Sequence, residues 1–182
     1  MPKEVMLDIE TLDNKQTSVI VSIGAVVFDF EKEGTEQEFY QRIDIDSCLN
    51  AGLTVSGGTI EWWLKQNESA RLEIGKDTVH LQLALSNFSK FLNSINVDNT
   101  KYNIWGNPAS FDIGIVSNAY DKCHTKIPWH YRNERDLRTL VAFYPNIKDE
   151  FPTVGTFHNP VDDCKTQIGY AKLIYNKIKN NK

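Results

Sequence analysis

Val5-Met6-Leu7-Asp8-Ile9-Glu10, followed by Thr11, is the stretch that decides the fold. A β-branched and aliphatic run of this length is typical of a buried strand, and alternation places Asp8 and Glu10 on the same face. Two like charges on a buried strand are costly unless a cation neutralises them, and the run holds no Lys, Arg or His. Hard divalent ions such as magnesium or manganese prefer carboxylate oxygens, so the pair is a candidate metal site. The alternative is a strand that ends at Ile9, with Glu10 in a solvated turn.

The composition is that of an ordinary globular protein. Its 182 residues suit one domain, residues 1–182, with a core from about 5 to 175 and a short C-terminal tail. No apolar stretch approaches the roughly 20 residues that cross a bilayer, and no basic-then-apolar leader begins the sequence. We therefore expect a cytoplasmic protein.

Cysteine spacing and net charge narrow the function classes. Cys48, Cys123 and Cys164 are widely separated and odd in number, which indicates neither a disulfide framework nor a zinc site. A net charge of −4 argues weakly against a protein that coats long nucleic acid, because such proteins carry a broad basic face. The net charge does not exclude an enzyme that binds only a few nucleotides, because metal-binding acids themselves lower the net charge.

The first half of the sequence predicts an antiparallel meander followed by a short helix. Residues 19–28 form a β-branched run, and residues 39–45 alternate like a strand with one wet face. Thr59 then suits a helix N-cap before Ile60 to Gln66. Trp62 and Trp63 are adjacent on that helix, so both cannot face the core, and one is available at a cleft unless neighbouring loops cover both.

The second half predicts helices and a further strand. Apolar spacing favours an amphipathic helix over 78–95, and residues 102–106 resemble a strand. Ser110 can cap the next helix, which places Asp112 in a first turn at a strand's end, a usual location for a site in an α/β sheet. Residues 136–144 are helical or begin as a short fifth strand.

A histidine and an aspartate open the last helix. Asn159 suits its cap and Pro160 its first position. On this helix Asp163 lies nearly in line with Gln167, beside the buried stripe. His158 alone would be an ordinary surface histidine.

Assembled, these residues resemble the DEDDh branch of the DnaQ-like 3′-5′ exonucleases. The resemblance covers residues 5 to about 175. Its motifs are Asp8-Ile9-Glu10-Thr11, Ser22-Ile23-Gly24-Ala25, Ser110-Phe111-Asp112 and the spacing from His158 to Asp163. The chain most resembles the compact stand-alone group that includes phage exonuclease A and the mycobacterial 3′-5′ exoribonucleases, through segments 59–63, 135–140 and 158–163.

The resemblance implies an α/β domain of the ribonuclease H-like type, with a five-stranded mixed sheet in order 3-2-1-4-5 and helices on both faces. It implies hydrolysis at nucleic-acid 3′ ends with two divalent metal ions, Mg²⁺ or Mn²⁺, and release of nucleoside 5′-monophosphates. Asp8, Glu10 and Asp163 would hold one ion, and Asp8 with Asp112 the other. The His-to-Asp spacing favours Asp163 over Asp162.

His158 would be the general base in this scheme. Imidazole has an unperturbed pKa of about 6.5 and accepts a proton near neutral pH. Its position in a loop before the last helix would let it approach the scissile phosphate.

Candidate substrate-binding residues surround this constellation: Thr11, Trp62, Trp63, Phe111 and Asn107. The aromatic ones could stack on terminal bases, although such side chains more often belong to a core. Many relatives have Asn-Ala-x-Phe-Asp before the third acid, whereas here the Asn lies one place further back, so its contact with substrate stays open.

We expect the partner to be a nucleic-acid 3′ end, single-stranded or with a 3′ overhang. The sequence does not separate DNA from RNA, because recognition of the 2′-OH depends on pocket walls. An exposed tryptophan would suit a homodimer contact as well as a substrate wedge. The alternatives are a catalytically idle binding domain of the same fold and an endonuclease.

Overall fold

The computed structural model describes residues 3–95, 102–155 and 158–180. Single-turn 3₁₀ helices lie at Tyr131–Asn133 and Ile147–Glu150. The other elements, in chain order, are β1 (Glu4–Thr11), β2 (Ile20–Phe28), β3 (Glu38–Arg42), α1 (Ile45–Asn50), α2 (Gly57–Leu64), α3 (Glu68–Glu73), α4 (Leu81–Ile95), β4 (Asn103–Gly106), α5 (Ala109–Lys122), β5 (Glu134–Asp136), α6 (Leu137–Ala142) and α7 (Pro160–Asn180).

The strands form a mixed sheet that positions the acidic residues. Within the described residues it has five strands in the order β3-β2-β1-β4-β5. The first three strands pair antiparallel, whereas β4 pairs parallel with both β1 and β5. The predicted mixed sheet and its strand order are confirmed. Residues 136–144, predicted as helical or as a short strand that turns helical, hold the end of β5 followed by α6.

The two faces of the sheet are covered by different helices. Val5 and Leu7 of β1 pack with residues of α4 and α5 in one buried cluster. Met6 points the opposite way and packs with Cys164 and Ile168 of α7. Because side chains alternate along a strand, Asp8 and Glu10 point to the same face of the sheet as Met6. The acidic pair thus lies on the side of α7.

Two predicted helix starts were wrong because hydrogen-bond partners outside each helix determine where it begins. The helix α2 begins at Gly57, since the N–H of Ser56 donates to the carbonyl of Leu12 (2.8 Å) and its carbonyl accepts from Ile60 (3.0 Å). Thr59 is therefore inside the helix. The helix α5 begins at Ala109 instead of after Ser110.

Asp136 replaces the predicted cap of α5. Its carboxylate accepts from the backbone N–H of Ala109 at 2.7 Å, and from Thr139 at the start of α6. A residue distant in the chain thus satisfies the orphan donor of the helix terminus.

The third strand is shorter than predicted, and two short helices were missed. Asp44 ends the strand because its side chain accepts from the backbone N–H of Ser47 at 2.8 Å and caps α1. Ile45, predicted as strand, begins that helix. Val79, predicted as helix, bridges Ile43 instead, so α4 begins at Leu81. The helix α3 has no counterpart in the prediction.

Three further observations concern the cysteines, the hydropathy of the helices and the end of α7. The three cysteines are buried and free of disulfides. Among the described helices, none combines the length and the hydropathy of a membrane-spanning segment. The helix α7 continues to Asn180, and residues 181–182 of the expected tail lie outside the described residues.

Candidate active site

The start of α7 is pressed directly onto the sheet beside the acidic pair. A β-carbon at Gly24 of β2 would lie 2.6 Å from the carbonyl carbon of Pro160, so only glycine permits this approach. Cys164 on the next turn directs its Sγ at the carbonyl oxygens of Met6 (3.4 Å) and Gly24 (3.7 Å). The first turn of α7, which carries Asp163, is thereby fixed over β1.

The cap of α7 follows the prediction. The side-chain oxygen of Asn159 accepts from the backbone N–H of Val161 (3.1 Å) and of Asp162 (3.3 Å). Pro160 occupies the first helical position, where its missing N–H costs nothing.

Three carboxylates converge at this junction. Among the described residues, ligand atoms of Asp8, Glu10 and Asp163 all lie within 4.8 Å of one another, so they are close enough to share one cation. Asp112 is outside that group but borders it, because its carboxylate accepts from the backbone N–H of Ile9. Its second anchor is the backbone N–H of Asn107, at 2.6 Å from Oδ2. The structure thus brings together three of the predicted acids and holds the fourth beside β1.

The proximity and burial of these acids disfavour their charged forms. Burial, followed by repulsion from Asp112, Glu10 and Asp163, raises the pKa of Asp8 well above its usual range. Burial and the charges of Asp163 and Asp112 raise the pKa of Glu10 to about 8. Burial raises the pKa of Asp112 to about 7 and that of Asp163 to about 6. Without a cation, the cluster cannot carry its full charge at neutral pH.

His158 lies at the edge of the cluster in the loop before α7. Its backbone has a φ of 65°, in the left-handed region, and its Nδ1 is 3.8 Å from Oε1 of Glu10. Burial lowers the pKa of His158, so its imidazole is neutral at neutral pH. Its backbone N–H donates to the carboxylate of Asp163. A neutral imidazole beside a carboxylate cluster has a lone pair that can accept a proton.

The two tryptophans of α2 flank this histidine. The rings of Trp62 and Trp63 approach the imidazole edge-on, at centroid distances of 5.0 and 5.7 Å. Trp63 is buried and its Nε1 donates to the carbonyl of Thr11 at 2.9 Å, whereas Trp62 is 43% exposed. The prediction that one of the pair stays available at a cleft is confirmed.

Two grooves meet at Phe111, which lines both. The first, of about 400 Å³, lies between Glu10 and the tryptophans of α2. The second, of about 380 Å³, is lined by Asn107 and Arg138. Thr11, another candidate substrate residue, borders the first groove, but its hydroxyl donates to the carbonyl of Asp13 (2.8 Å). Four of the predicted substrate residues, Thr11, Trp62, Trp63 and Phe111, therefore border the groove that Glu10 lines, and Asn107 borders the second groove.

Comparison with known proteins places the chain in a family. Residues 3–175 match the model of the Rv2179c-like family, described as the 3′-5′ exoribonuclease Rv2179c-like domain. The chain belongs to this family. The DnaQ-like resemblance inferred from the sequence is confirmed.

Individual relatives agree with the family assignment. An exodeoxyribonuclease of Enterobacteria phage T4 is 24% identical over 195 residues, which cover 91% of this chain and 86% of the phage protein. The nuclease domain of 3′hExo, a DEDDh family member solved with bound rAMP, superposes with a TM-score of 0.66 at 13% identity, covering 97% of this chain and 92% of that one. The cell-death related nuclease CRN-4 gives a TM-score of 0.58 at 14% identity, and this chain, 97% covered, spans 64% of its length. These structures show the same ribonuclease H-like fold.

Two residues that were not predicted from the sequence also contact the site of this Rv2179c-like chain. Gln167 donates from Nε2 to Oδ1 of Asp8 at 2.8 Å, and the hydroxyl of Tyr170 accepts from Nδ2 of Asn107 at 3.3 Å. Both lie on α7, and the helical alignment of Gln167 with Asp163 was the available signal. That alignment identifies the shared face of the helix but not the partner on the sheet.

Proposed function

We propose that this protein is a metal-dependent hydrolase that removes nucleotides one at a time from nucleic-acid 3′ ends, as a DEDDh-type exonuclease. The observation that carries the proposal is the convergence of Asp8, Glu10 and Asp163 within 4.8 Å, beside a neutral His158, in a chain of this exonuclease family. A binding module would gain nothing from burying these mutually repelling acids.

The donor set suits divalent metal ions. It consists of carboxylate oxygens, which Mg²⁺ and Mn²⁺ prefer, and their raised pKa values indicate a deficit of positive charge. Asp8, Glu10 and Asp163 would hold one ion, and Asp8 with Asp112 a second. Bound ions would stabilise the attacking and leaving oxygens of an in-line displacement.

His158 would act as the general base. Its imidazole takes a proton from the water that attacks the terminal phosphodiester, and its lowered pKa keeps it unprotonated before that step. The bond from phosphorus to the 3′ oxygen of the preceding nucleotide breaks. That oxygen gains a proton from solvent, and the phosphate departs with the terminal nucleotide as a nucleoside 5′-monophosphate.

The grooves on either side of Phe111 would receive the last nucleotides of the strand. Trp62 lines the first groove and is partly exposed, so a base could stack on its indole. Base stacking on an aromatic ring contributes about 1–3 kcal/mol with little sequence preference. Arg138, in the second groove, supplies a positive charge for a backbone phosphate. A single-stranded end or 3′ overhang fits this arrangement, because stacking needs an unpaired base.

A homodimer is the assembly we propose for the chain. Leu64 of α2 and Leu72 of α3 are more than 60% exposed, at 64% and 62%. Light scattering across a dilution series measures the assembly directly.

End-labelled oligonucleotides test the function. A 5′-labelled single strand, offered as matched DNA and RNA with Mg²⁺ or Mn²⁺, should shorten stepwise from its 3′ end and release 5′-monophosphates, while a circular strand survives. Binding without shortening in either metal would overturn the proposal in favour of an idle domain. Cleavage of the circle would identify an endonuclease.

A further inference from the structure

Gln167 is a buried polar residue next to the carboxylates, and the proposed chemistry gives it no role. It is 7% exposed and lies one helical turn after Asp163 on α7. Its Nε2 donates to Oδ1 of Asp8 at 2.8 Å. Within the described part of the chain, its Oε1 is buried and has no hydrogen-bond partner.

Burying the side-chain amide of Gln167 with an unpartnered Oε1 lowers the stability of the fold unless its N–H group has a role. A buried acceptor without a partner costs about 1–3 kcal/mol, and an apolar side chain of similar size would avoid that cost. The neighbouring Ile168 shows that this turn of α7 accommodates an apolar residue in the core. The benefit of an amide is therefore at the end that contacts Asp8.

A neutral donor is the suitable partner for a carboxylate that binds a cation. A Lys or Arg at position 167 would neutralise Asp8 and compete with a metal ion for it. The amide donates one hydrogen bond and adds no net charge, so Asp8 keeps its attraction for a cation. One Asp8 oxygen accepts from Gln167, and an Asp8 oxygen lies within 4.8 Å of the ligand atoms of Glu10 and Asp163. Holding one oxygen restricts rotation of the carboxyl group and so fixes the position of the other.

We propose that Gln167 is a positioning residue that holds the Asp8 carboxylate in the orientation that binds the divalent ion. The inference rests on the proposed function for its catalytic consequence, but its effect on metal binding is measured separately. Without the hydrogen bond, repulsion from Glu10 and Asp163 turns the Asp8 carboxylate away from the cluster. Loss of a hydrogen bond to a metal-binding side chain typically lowers metal affinity or activity roughly 10–100-fold.

The test uses the full chain and a variant of similar side-chain volume, Gln167→Met. Methionine keeps the shape of the side chain but cannot donate to Asp8. Isothermal titration with Mn²⁺ alone should give a dissociation constant roughly 10–100-fold above that of the wild type. Activity at limiting Mn²⁺ should fall by the same factor and return toward the wild-type rate as Mn²⁺ is raised.

Gln41→Met is the matched control, because it makes the same chemical change on β3. Gln41 donates to the carbonyl of Arg42 (3.4 Å) and accepts from Asn87 (3.2 Å), with no contact to the carboxylates among these bonds. Its Mn²⁺ affinity should equal that of the wild type. Thermal unfolding of each variant in chelator reports folding, and Gln167→Leu replaces Gln167→Met if the latter does not fold.

The outcomes separate the two proposals. A Mn²⁺ dissociation constant within twofold of the wild type in a folded Gln167 variant would overturn the positioning role, even if the variant were less stable. A wild type that binds Mn²⁺ but degrades no strand would overturn the proposed function. Weaker Mn²⁺ binding in Gln167→Met would still support the positioning role in that case.

Discussion

Replacing Glu10 by Gln should stabilise the metal-free protein while weakening its metal binding. The Glu10 side chain is only 14% exposed, and burial and the charges of Asp163 and Asp112 raise its pKa from an ordinary value of 4.5 to about 8. Glutamine has nearly the same shape but no proton to gain or lose. The substitution therefore removes the electrostatic cost of the buried carboxyl and retains its packing.

The size of the effect follows from the difference in pKa between the folded and unfolded chains. At pH 7 the carboxyl of the unfolded chain is ionised, whereas that of the folded chain, with a pKa of about 8, holds a proton. Each pH unit above 4.5 costs about 1.4 kcal/mol, so folding at pH 7 carries a penalty of roughly 3 kcal/mol. For a chain of this length, that corresponds to a gain of roughly 6–12 °C in the melting temperature of Glu10→Gln.

The sign of the pH dependence is fixed by the raised pKa. A group with a higher pKa in the folded state stabilises the fold at low pH and loses that contribution as pH rises toward 8. The free energy of unfolding of the wild type should therefore fall from pH 5 to pH 8 in the presence of chelator. The advantage of Glu10→Gln should be small at pH 5 and largest near pH 8.

Urea unfolding at pH 5, 7 and 8 in chelator measures this difference. Glu61→Gln is the control, because Glu61 is exposed on α2 and the same change there should leave stability unaltered. An advantage of Glu10→Gln that does not grow with pH, or a destabilisation at pH 7, would refute the electrostatic account of the cluster.

Three further predictions concern His158, Trp62 and Gly24. His158→Gln should lower kcat about 10²–10⁴-fold with KM little changed, as expected on loss of a general base and measured by steady-state kinetics. Trp62→Ala should raise KM for single strands about 5–150-fold through loss of base stacking, as measured on matched DNA and RNA oligonucleotides. Gly24→Ala should lower the free energy of unfolding by about 1–3 kcal/mol, because its β-carbon would lie 2.6 Å from the backbone of Pro160, and urea unfolding measures this loss.

The parts of the fold that the sequence predicted depend on local periodicity. The alternation of β1 placed Asp8 and Glu10 on one face, and the packing of Met6 against α7 shows which face it is. The cap at Asn159 followed equally from local chemistry, because a side-chain amide and the next backbone N–H groups form it without outside partners.

The errors arose where distant residues decide a boundary. The start of α5 depends on Asp136, which lies 27 positions further along the chain and accepts from Ala109. Val79 continued the apolar pattern of a helix, yet its backbone pairs with Ile43 and is extended. Periodicity describes which face of an element is apolar, but it does not report which other strand or loop supplies its hydrogen bonds.

The candidate site was likewise predictable from sequence only in part. The residue types and their order pointed to the acids and the histidine, while the contact between Gln167 and Asp8 depends on how α7 is rotated over β1. That rotation is fixed by the close approach of Pro160 to Gly24, which no pattern within α7 reveals.

Manganese-soaked crystals provide the most direct test of the central claim, that the acids of β1, α5 and α7 together bind divalent metal. Anomalous difference maps should show two Mn²⁺ ions, roughly 3.5–4 Å apart, with one between Asp8, Glu10 and Asp163 and the other reached by Asp8 and Asp112. Maps without an ion among these carboxylates at saturating Mn²⁺ would contradict the account.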